Sequence, residues 1–288
     1  MMRATLILNP RSGKGRAPDV LELARALSRQ LGVDLSERMI EGPGHGSELA
    51  REAVTAGHDR VIAAGGDGTL NAVANGLVGS PVALGIVAMG SGNGYARSQK
   101  LPLNPKEALH RAFTGTARPM DVCYLNDHLF LGTAGIGFDA RVAWEFDRSR
   151  SRGFWNYLRI TLKEILGAQP LRVVVNANNE STEHRLLMLV FANTREFGNG
   201  VAISPGSAPD DGLAELRCVS KPSFLPLIKA LFDVYTGRAD SSPYIRTIVA
   251  REAHIHQDGN LAHLDGEPLV IGNEVRFRLE PARLLVIT

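Results

Sequence analysis

Three glycine-rich turns, each between an apolar run and a helical pattern, constrain the fold of this chain more than any other feature. They are N-P-R-S-G-K-G after the run at 4–8, G-G-D-G-T after the run at 60–64 and M-G-S-G-N-G after the run at 82–88. Amphipathic patterns at 18–31 and 45–56, with apolar positions three and four apart, separate these runs. Strands that alternate with helices predict a parallel sheet, and all three turns would lie at its carboxyl edge.

Other signals fit a Rossmann-like α/β domain of this kind. A mixed run at 33–40 predicts a further strand. Gly32 and Gly57 follow the two helical patterns, where a left-handed cap would end each helix. A short helix is expected after Asn104, with Asn104 as its N-cap and Pro105 in its first position.

The pattern changes near Pro119, which we take as a domain boundary. Helical patterns continue beyond it at 139–147, 154–167 and 223–236. The strand-like runs lie at 119–124, 128–134, 171–177, 185–192, 213–219, 245–249, 253–257, 261–264, 274–279 and 284–287. The sequence therefore predicts an α/β domain over 1–119 and a β-rich domain over 120–288, whose last strand is a candidate to pack back on the first domain.

Composition excludes several classes of protein. The 288 residues carry 32 Lys and Arg against 30 Asp and Glu, so the net charge of +2 does not indicate a nucleic-acid partner. Cys123 and Cys218 have no framework spacing and are expected to be reduced thiols in a cytoplasmic protein. No apolar run reaches the ~20 residues that a membrane span needs, so any membrane contact is expected to be peripheral.

Glycine-rich turns at helix starts favour an anion, because glycine allows close approach and the helix start presents backbone N–H groups. Gly65-Gly66-Asp67-Gly68-Thr69 also places a carboxylate in its turn, which fits phosphate binding if a divalent cation such as Mg²⁺ bridges the two. The alternative is a tight strand–helix turn with Asp67 as its N-cap. The turn N-P-R-S-G-K-G is not a Walker A loop, and neither it nor G-G-D-G-T has the G-x-G-x-x-G spacing.

Five segments in order resemble the diacylglycerol kinase catalytic-domain family, to which bacterial lipid kinases and sphingoid-base kinases belong. They are NPRSGKG, GGDGTLNAVANGL, GSGNGYAR, DDGLAEL and HLDGEPL, and the resemblance runs from Thr5 to the last strand. It implies a nucleotide-binding α/β domain followed by a β-sandwich domain, with the active site in the cleft between them. GGDGT alone is shared with NAD kinases, whereas the ordered set is specific.

The resemblance implies that the three turns bind ATP. Ser91 stands where the family usually has a threonine that touches the nucleotide, and its hydroxyl offers the same hydrogen bond. Ile40 stands at another such threonine, where only a backbone or apolar contact is available. The implied ATP-contacting residues are Asn9, Pro10, Arg11, Ser12, Gly13, Ile40, Gly65, Gly66, Asp67, Gly68, Thr69, Leu70, Asn71 and Ser91.

The resemblance also assigns the catalytic carboxylates. It implies that Asp67 and Asp121 hold a catalytic Mg²⁺ and that Glu267 is the general base that takes the proton from the lipid hydroxyl. Phosphoryl transfer depends mostly on positioning and on neutralising charge. From the residues alone, Asp121 is a strand-edge carboxylate, and Asp265-Gly266 before Glu267 is a hairpin turn. A tight turn is also a rigid mount for a base, so both descriptions of Glu267 can hold.

PDDGLAEL resembles the structural metal loop of the family. Its implied ligands for Mg²⁺ or Ca²⁺ are the Asp211 side chain and the backbone carbonyls of Ala208 and Leu213. The alternative is an acidic turn before a strand. His254 and His256 are alternate strand residues, which favours an exposed strand face over a metal pair.

One position departs from the family pattern. Gly94 follows Gly-Ser-Gly-Asn where most of the family has an aspartate that helps to organise metal and substrate. Sphingoid-base kinases also lack that carboxylate, so Gly94 does not by itself imply an inactive enzyme. The acceptor therefore stays open among a diacylglycerol, a sphingoid base and another hydroxylated lipid.

We predict an ATP- and Mg²⁺-dependent lipid kinase of phospholipid metabolism, cytoplasmic and peripheral to the inner membrane face. The alternatives are a non-catalytic nucleotide- or lipid-binding member of the family and a soluble kinase of the NAD kinase type. The segment 141–159, with both tryptophans and five arginines, suits an anionic membrane surface. The favoured alternative for this segment is a helix pair packed on the sandwich. Whether the chain forms a homodimer is left open.

Overall fold

A computed structural model describes residues 1–149, 154–197, 201–223, 226, 233 and 236–288. It divides the chain into two compact units. The first contains Met1–Met120 and Ala282–Thr288, and the second contains Asp121–Pro281. The helix expected over 223–236 lies almost wholly outside the described residues.

The first unit alternates strands and helices around a parallel sheet. The sheet order is β2-β1-β3-β4, and the end of the last strand, β16, pairs with β4 in parallel through Val286 and Leu84. The elements are β1 (Arg3–Leu8), α1 (Ala17–Leu31), β2 (Asp34–Met39), α2 (His45–Thr55), β3 (Arg60–Gly65), α3 (Asp67–Leu77), β4 (Ala83–Ala88), α4 (Gly94–Ser98), α5 (Pro105–Thr114) and the start of β5 (Ala117–Leu125), which continues into the second unit.

Local signals place these helices where the sequence predicts them. Gly32 ends α1 in the left-handed conformation with φ of 65°, and Gly57 follows α2 with φ of 69°. The Asn104 side chain accepts the backbone N–H groups of the first turn of α5. The apolar stripes of α1 and α5 pack on β1, β3 and β4, and this packing forms the core of the unit.

The second unit is a β-rich sandwich of antiparallel sheets. One sheet has the order β16-β13-β8-β9, with β5 and β6 beside β16, and the other has the order β12-β11-β10-β7-β14-β15. Its elements after β5 are β6 (His128–Phe130), β7 (Thr133–Gly137), α6 (Phe138–Arg148), α7 (Phe154–Gly167), β8 (Leu171–Ala177), β9 (Glu180–Leu186), β10 (Met188–Ala192), β11 (Ala214–Val219), β12 (Ile245–Ala250), β13 (Glu252–Gln257), β14 (Leu261–Leu264), β15 (Glu267–Val270) and β16 (Glu274–Ile287).

Alternating side chains of the two sheets form the core of the second unit. Phe277 of β16 stacks on Phe191 of β10, with ring centroids 5.3 Å apart. Along β13 exposed and buried residues alternate, and His254 and His256 lie on its exposed face, as predicted. His256 Nδ1 pairs with Glu274 Oε1 at 2.7 Å. The predicted fold class, an α/β domain followed by a β-sandwich, is confirmed.

Several strand boundaries differ from the prediction. The runs at 128–134 and 185–192 each contain two strands instead of one. The runs at 274–279 and 284–287 are one strand, Glu274–Ile287. Strand β15 and most of β9 are not predicted at all.

Two further expectations concern the cysteines and the membrane. Cys123 and Cys218 are buried free thiols, as predicted. Burial raises the pKa of Cys218 to about 11. Within the described ranges, no helix combines the length and hydropathy that crossing a bilayer requires.

Candidate functional site

The turn after β1 contacts the turns after β3 and β4. Asn9 makes the first contact, because its Nδ2 donates to Thr69 Oγ1 at 2.9 Å. The Asn9 Oδ1 accepts the Arg11 backbone N–H at 3.0 Å, which keeps the turn compact. Gly13 makes the second contact: its φ is 76°, and a Cβ added there would lie 2.8 Å from Met89 Cε. The first turn therefore rests against both others.

The turn between β3 and α3 leaves no room for a side chain at Gly65. Gly65 ends β3, and a Cβ added there would collide with the Thr69 side chain. Gly66 is the N-cap of α3, and no described side chain caps this helix. The first helical hydrogen bond runs from the Leu70 N–H to Gly66 O at 3.0 Å. The start of α3 therefore presents backbone donors that the helix does not use, a geometry that binds anions.

The turn after β4 lies directly against the turn after β3. The Met89 N–H donates to Gly65 O at 2.7 Å. A Cβ added at Gly90 would lie 2.9 Å from the Cα of Gly66, so the two backbones are nearly in contact. The three turns that the sequence singles out therefore lie together at the carboxyl edge of the sheet in the first unit.

Asp67 begins α3, so the interpretation of this residue as an N-cap is wrong: Gly66 holds that position. The Asp67 carboxylate reaches toward the turn after β4, and its Oδ2 lies 3.4 Å from where a Cβ of Gly92 would stand. The start of a helix stabilises such a negative charge. A carboxylate next to a phosphate needs a cation between them, and its oxygen is a ligand that Mg²⁺ accepts, so the residue fits a magnesium role.

The remaining predicted ATP contacts lie around these turns. Ile40 follows β2 at the same sheet edge, and its N–H donates to Leu8 O at 2.9 Å. Leu70 is buried, so its side chain belongs to the core, whereas Ser91 is exposed. Pro10 and Arg11 are also exposed, and Ser12, Gly68 and Asn71 are partly buried.

The departure at Gly94 has a defined place in the fold. Asn93 precedes it in the left-handed conformation, with φ of 52°, and its Nδ2 donates to Gly90 O at 3.0 Å. Gly94 is buried and is the first residue of α4. The position of the missing family carboxylate therefore lies beside the turn after β4.

In the second unit, Asp121 is buried and bound to the loop before β11. The residue is 2% exposed, and its Oδ2 accepts the Gly212 N–H at 2.7 Å. The Asp121 N–H donates to Pro209 O at 2.7 Å. The structure thus brings Asp121 together with the predicted structural metal loop. Its pairing with Asp67, which belongs to the first unit, stays a prediction.

The loop that holds Ala208, Asp211 and Leu213 has the features of an acidic turn. The Asp211 Oδ1 accepts the Leu213 N–H at 2.9 Å, and Gly212 between them has φ of 73°. In the part of the chain that the structure describes, no three His, Cys, Asp or Glu side chains cluster as metal ligands. The predicted loop offers a single carboxylate with two carbonyls, so its metal role stays a prediction.

Glu267 begins β15 and is exposed at the end of a two-residue turn. Asp265 and Gly266 have φ of 48° and 88°, and Leu264 pairs with Glu267 across them, so the predicted hairpin is confirmed. The Asp265 carboxylate accepts three successive backbone N–H groups, at 2.9, 2.8 and 3.1 Å, from Leu131, Gly132 and Thr133. The turn that bears Glu267 is therefore bound to the segment between β6 and β7.

Two buried polar residues are not predicted from the sequence: Asn193 beside Asp121, and His263 beside the turn that bears Glu267. Asn193 is fully buried, and its Nδ2 donates to Leu131 O at 2.8 Å and Asp121 O at 3.4 Å. His263 lies on β14, three residues before Gly266. For Asn193 the sequence does carry a signal, because the polar pair Asn193-Thr194 comes directly after a buried strand.

Burial, with the charges of Asp121 and Asp265, raises the pKa of the Cys123 thiol.

Sequence profiles of known families match both units. The diacylglycerol kinase catalytic domain matches residues 3–125, and the YegS C-terminal NAD kinase beta sandwich-like domain matches residues 132–288. Fold and matched domains together define a kinase. The chain belongs to the diacylglycerol kinase catalytic-domain family, a family of lipid kinases, and this prediction is confirmed.

Individual relatives are similar over nearly the whole chain. A Klebsiella pneumoniae (strain 342) protein named "Probable lipid kinase YegS-like" is 33% identical, over 97% of this chain and 93% of that protein. A Mycobacterium tuberculosis (strain CDC 1551 / Oshkosh) protein named "Diacylglycerol kinase" is 30% identical, over 92% and 88%. The crystal structure of a diacylglycerol kinase from Bacillus anthracis str. Sterne shares the fold, with a TM-score of 0.76 at 20% identity over 99% of this chain and 96% of that one.

Proposed function

We propose that the chain transfers the γ-phosphate of ATP to a hydroxyl group of a lipid such as a diacylglycerol or a sphingoid base. The observation that carries this proposal is the meeting of three glycine-rich turns at the start of α3, because such a place binds phosphate. Family membership supports phosphoryl transfer. The relative named diacylglycerol kinase supports a diacylglycerol as one acceptor.

In this reaction the lipid oxygen attacks the γ-phosphorus. A new O–P bond forms, the bond from the γ-phosphorus to the bridging oxygen breaks, and ADP leaves. Glu267 accepts the proton of the lipid hydroxyl. The backbone N–H groups at the start of α3 hold the phosphates. Asp67 and Asp121 are the residues that would hold Mg²⁺, which when bound would supply positive charge to neutralise the phosphate oxygens.

Glu267→Gln tests the role of the base. The amide keeps the shape of the side chain and cannot accept the proton, so we expect turnover to fall about 100- to 10,000-fold while ATP binding persists. The measurement is transfer of radiolabelled phosphate from ATP to a lipid extract, with identification of the product. Glu180→Gln, an exposed glutamate on β9 of the same unit, is the matched control. Equal turnover in the two variants would show that Glu267 is not the general base of the reaction.

A non-catalytic nucleotide- or lipid-binding protein is the second candidate, and the observation that favours it is Gly94, where the family carboxylate is missing. This candidate predicts ATP binding without ADP formation across a panel of diacylglycerols and sphingoid bases. A soluble kinase of the NAD kinase type predicts phosphorylation of NAD instead. Lipid-dependent ADP formation would exclude both.

We also propose that the protein works in the cytoplasm, peripheral to the inner face of a membrane. Support comes from α7, where Trp155 is 78% and Leu162 is 50% exposed. Arg159 and Lys163 are exposed on the same face, because positions 155, 159, 162 and 163 recur at helical spacing. The acidic Glu164 is mostly covered and pairs with Arg141 at 3.3 Å. This face, Trp155, Arg159, Leu162 and Lys163, combines apolar and cationic groups as an anionic lipid surface requires.

A further inference from the structure

The imidazole of His263 and the carboxylate of Asp139 form a buried pair in the second unit. His263 Nε2 lies 3.2 Å from Asp139 Oδ2, and the two side chains are 5% and 7% exposed. Asp139 is in the first turn of α6, and its Oδ1 accepts the Ala140 N–H at 2.9 Å. Buried ionisable groups are costly unless they are bound to partners, so this pair requires a role in the fold or in the function.

The neighbouring strand leaves space for the pair. His263 of β14 lies opposite Gly135 of β7. A Cβ added at Gly135 would collide with Asp139 Oδ2 and would lie 2.9 Å from His263 Nε2. Phe197 covers the imidazole, with ring centroids 6.0 Å apart. The glycine on β7 is therefore required by the contact between His263 and Asp139.

The second nitrogen of the imidazole reaches the turn that bears Glu267. The Gly266 N–H donates to His263 Nδ1 at 3.4 Å. Since Nδ1 accepts this bond, the proton of the ring is on Nε2, which donates to Asp139 Oδ2. Asp139 thereby selects the tautomer of His263 that can accept from the turn. The other residue of the turn, Asp265, is bound on its own side by three backbone N–H groups.

We propose that His263 and Asp139 are positioning residues that fix the turn bearing Glu267, an inference that rests on the proposed role of Glu267 as the base. Proton transfer needs the carboxylate within hydrogen-bond reach of the lipid hydroxyl. A displacement of about 1 Å in a reacting group costs about 100-fold in rate. Asp265 is bound by three backbone N–H groups and Gly266 is bound by His263, so both residues of the turn have fixed partners. These contacts fix the position of Glu267, the first residue of β15.

Steady-state kinetics of His263 variants on ATP and lipid test this role. We expect His263→Ala to lower kcat about 10- to 100-fold with the KM for ATP unchanged, because the ATP-binding turns belong to the other unit. His263→Asn should recover most of the loss, since its Oδ1 can accept the Gly266 N–H, whereas His263→Gln should not. His184→Ala, which removes a partly buried imidazole elsewhere in the second unit, is the control.

The double variant His263→Ala/Glu267→Gln distinguishes positioning from a general structural role. If His263 acts through Glu267, the double variant should be no slower than Glu267→Gln alone. Multiplied losses in the double variant, or full turnover of His263→Ala, would overturn the inference. Loss of turnover in Glu267→Gln together with full turnover in His263→Ala would leave the proposed function intact and refute this inference alone.

Hydrogen exchange supplies a readout that does not need turnover. If the wild-type protein phosphorylates no lipid, the proposed function fails, and the fixed turn is still testable. We expect the peptide that covers 261–270 to exchange faster in His263→Ala and Asp139→Ala than in the wild type, with protection restored in His263→Asn. Equal exchange in all these proteins would overturn the inference.

Discussion

Gly90 shows how closely two of the glycine-rich turns approach each other. A Cβ added there would lie 2.9 Å from the Cα of Gly66 and 2.8 Å from Asn93 Oδ1. The Gly90 carbonyl is held by Asn93 Nδ2 at 3.0 Å, so the turn has little freedom to move away. A side chain at this position must push two backbones apart.

Gly90→Ala should therefore weaken ATP binding while the protein stays folded. A shift of the turn after β4 displaces the donors at the start of α3, and we expect the Kd for Mg²⁺-ATP to rise at least about tenfold, which corresponds to about 1.4 kcal/mol. Isothermal titration calorimetry measures this. Gly42→Ala is the matched control, because a Cβ at Gly42 meets nothing within 4 Å. Equal affinities in the two variants would show that this close approach is unimportant for the nucleotide.

Helix caps and turns could be predicted from one or two neighbouring residues, whereas contacts between residues that are distant in the sequence could not. Asn104 as a helix cap and Asp265-Gly266 as a hairpin turn follow from short-range rules. The bond from Asn9 to Thr69 joins residues that are 60 positions apart, and no short-range rule contains it. For the same reason, the contact between His263 and Asp139, which are 124 positions apart, could not be predicted.

At the scale of helices and strands, most errors have identifiable physical causes. The run at 128–134 breaks at Leu131 and Gly132, because their N–H groups bind the Asp265 carboxylate instead of a neighbouring strand. Most of strand β9 is not predicted because its sequence is mostly polar, and among the described strands it pairs only with β8, at the edge of its sheet. At 280–283 the sequence E-P-A-R indicates a break, yet β16 continues through it with Ala282 at φ of 55°.

The exposed face of α7 leads to a prediction at this scale. Arg159→Gln/Lys163→Gln should weaken binding to vesicles of phosphatidylcholine with phosphatidylglycerol about 30-fold, since each cation near an anionic surface contributes about 1 kcal/mol. Trp155→Ala should weaken it further by removing an apolar anchor. Cosedimentation measures the bound fraction. Arg150 and Arg152 of the segment 141–159 lie outside the described residues, so they are left unchanged.

A control with the same change in charge isolates the face of α7. Arg29→Gln/Lys106→Gln removes two exposed cations from the first unit and should leave vesicle binding nearly unchanged. Equal binding in the two double variants would exclude α7 as the docking surface. A change in oligomeric state on substitution of Trp155 and Leu162 would assign this face to a homodimer instead.

At the scale of the whole molecule, the first unit is not one continuous stretch of the chain. The first unit takes its last strand segment from the C-terminus, Ala282–Thr288. Leu284, Val286 and Ile287 of this segment are 1%, 0% and 1% exposed. Alternation of strands and helices was sufficient to predict the α/β unit and the sandwich, because each pattern is local. The packing of the final seven residues on the first unit could be predicted only as a possibility, because their own sequence does not indicate which strand they pair with.

If the C-terminal segment completes the core of the first unit, a cavity there should destabilise it. Val286 pairs with Leu84 of β4 and is fully buried, so Val286→Ala removes two methyl groups from a packed site. We expect the free energy of unfolding to fall by about 2 kcal/mol in urea titration, and hydrogen exchange to quicken in β4. Val249→Ala, at a valine that is 45% exposed on β12, is the matched control and should change stability by less than about 0.5 kcal/mol. Equal effects of the two substitutions would show that the first unit holds its fold without the end of the chain.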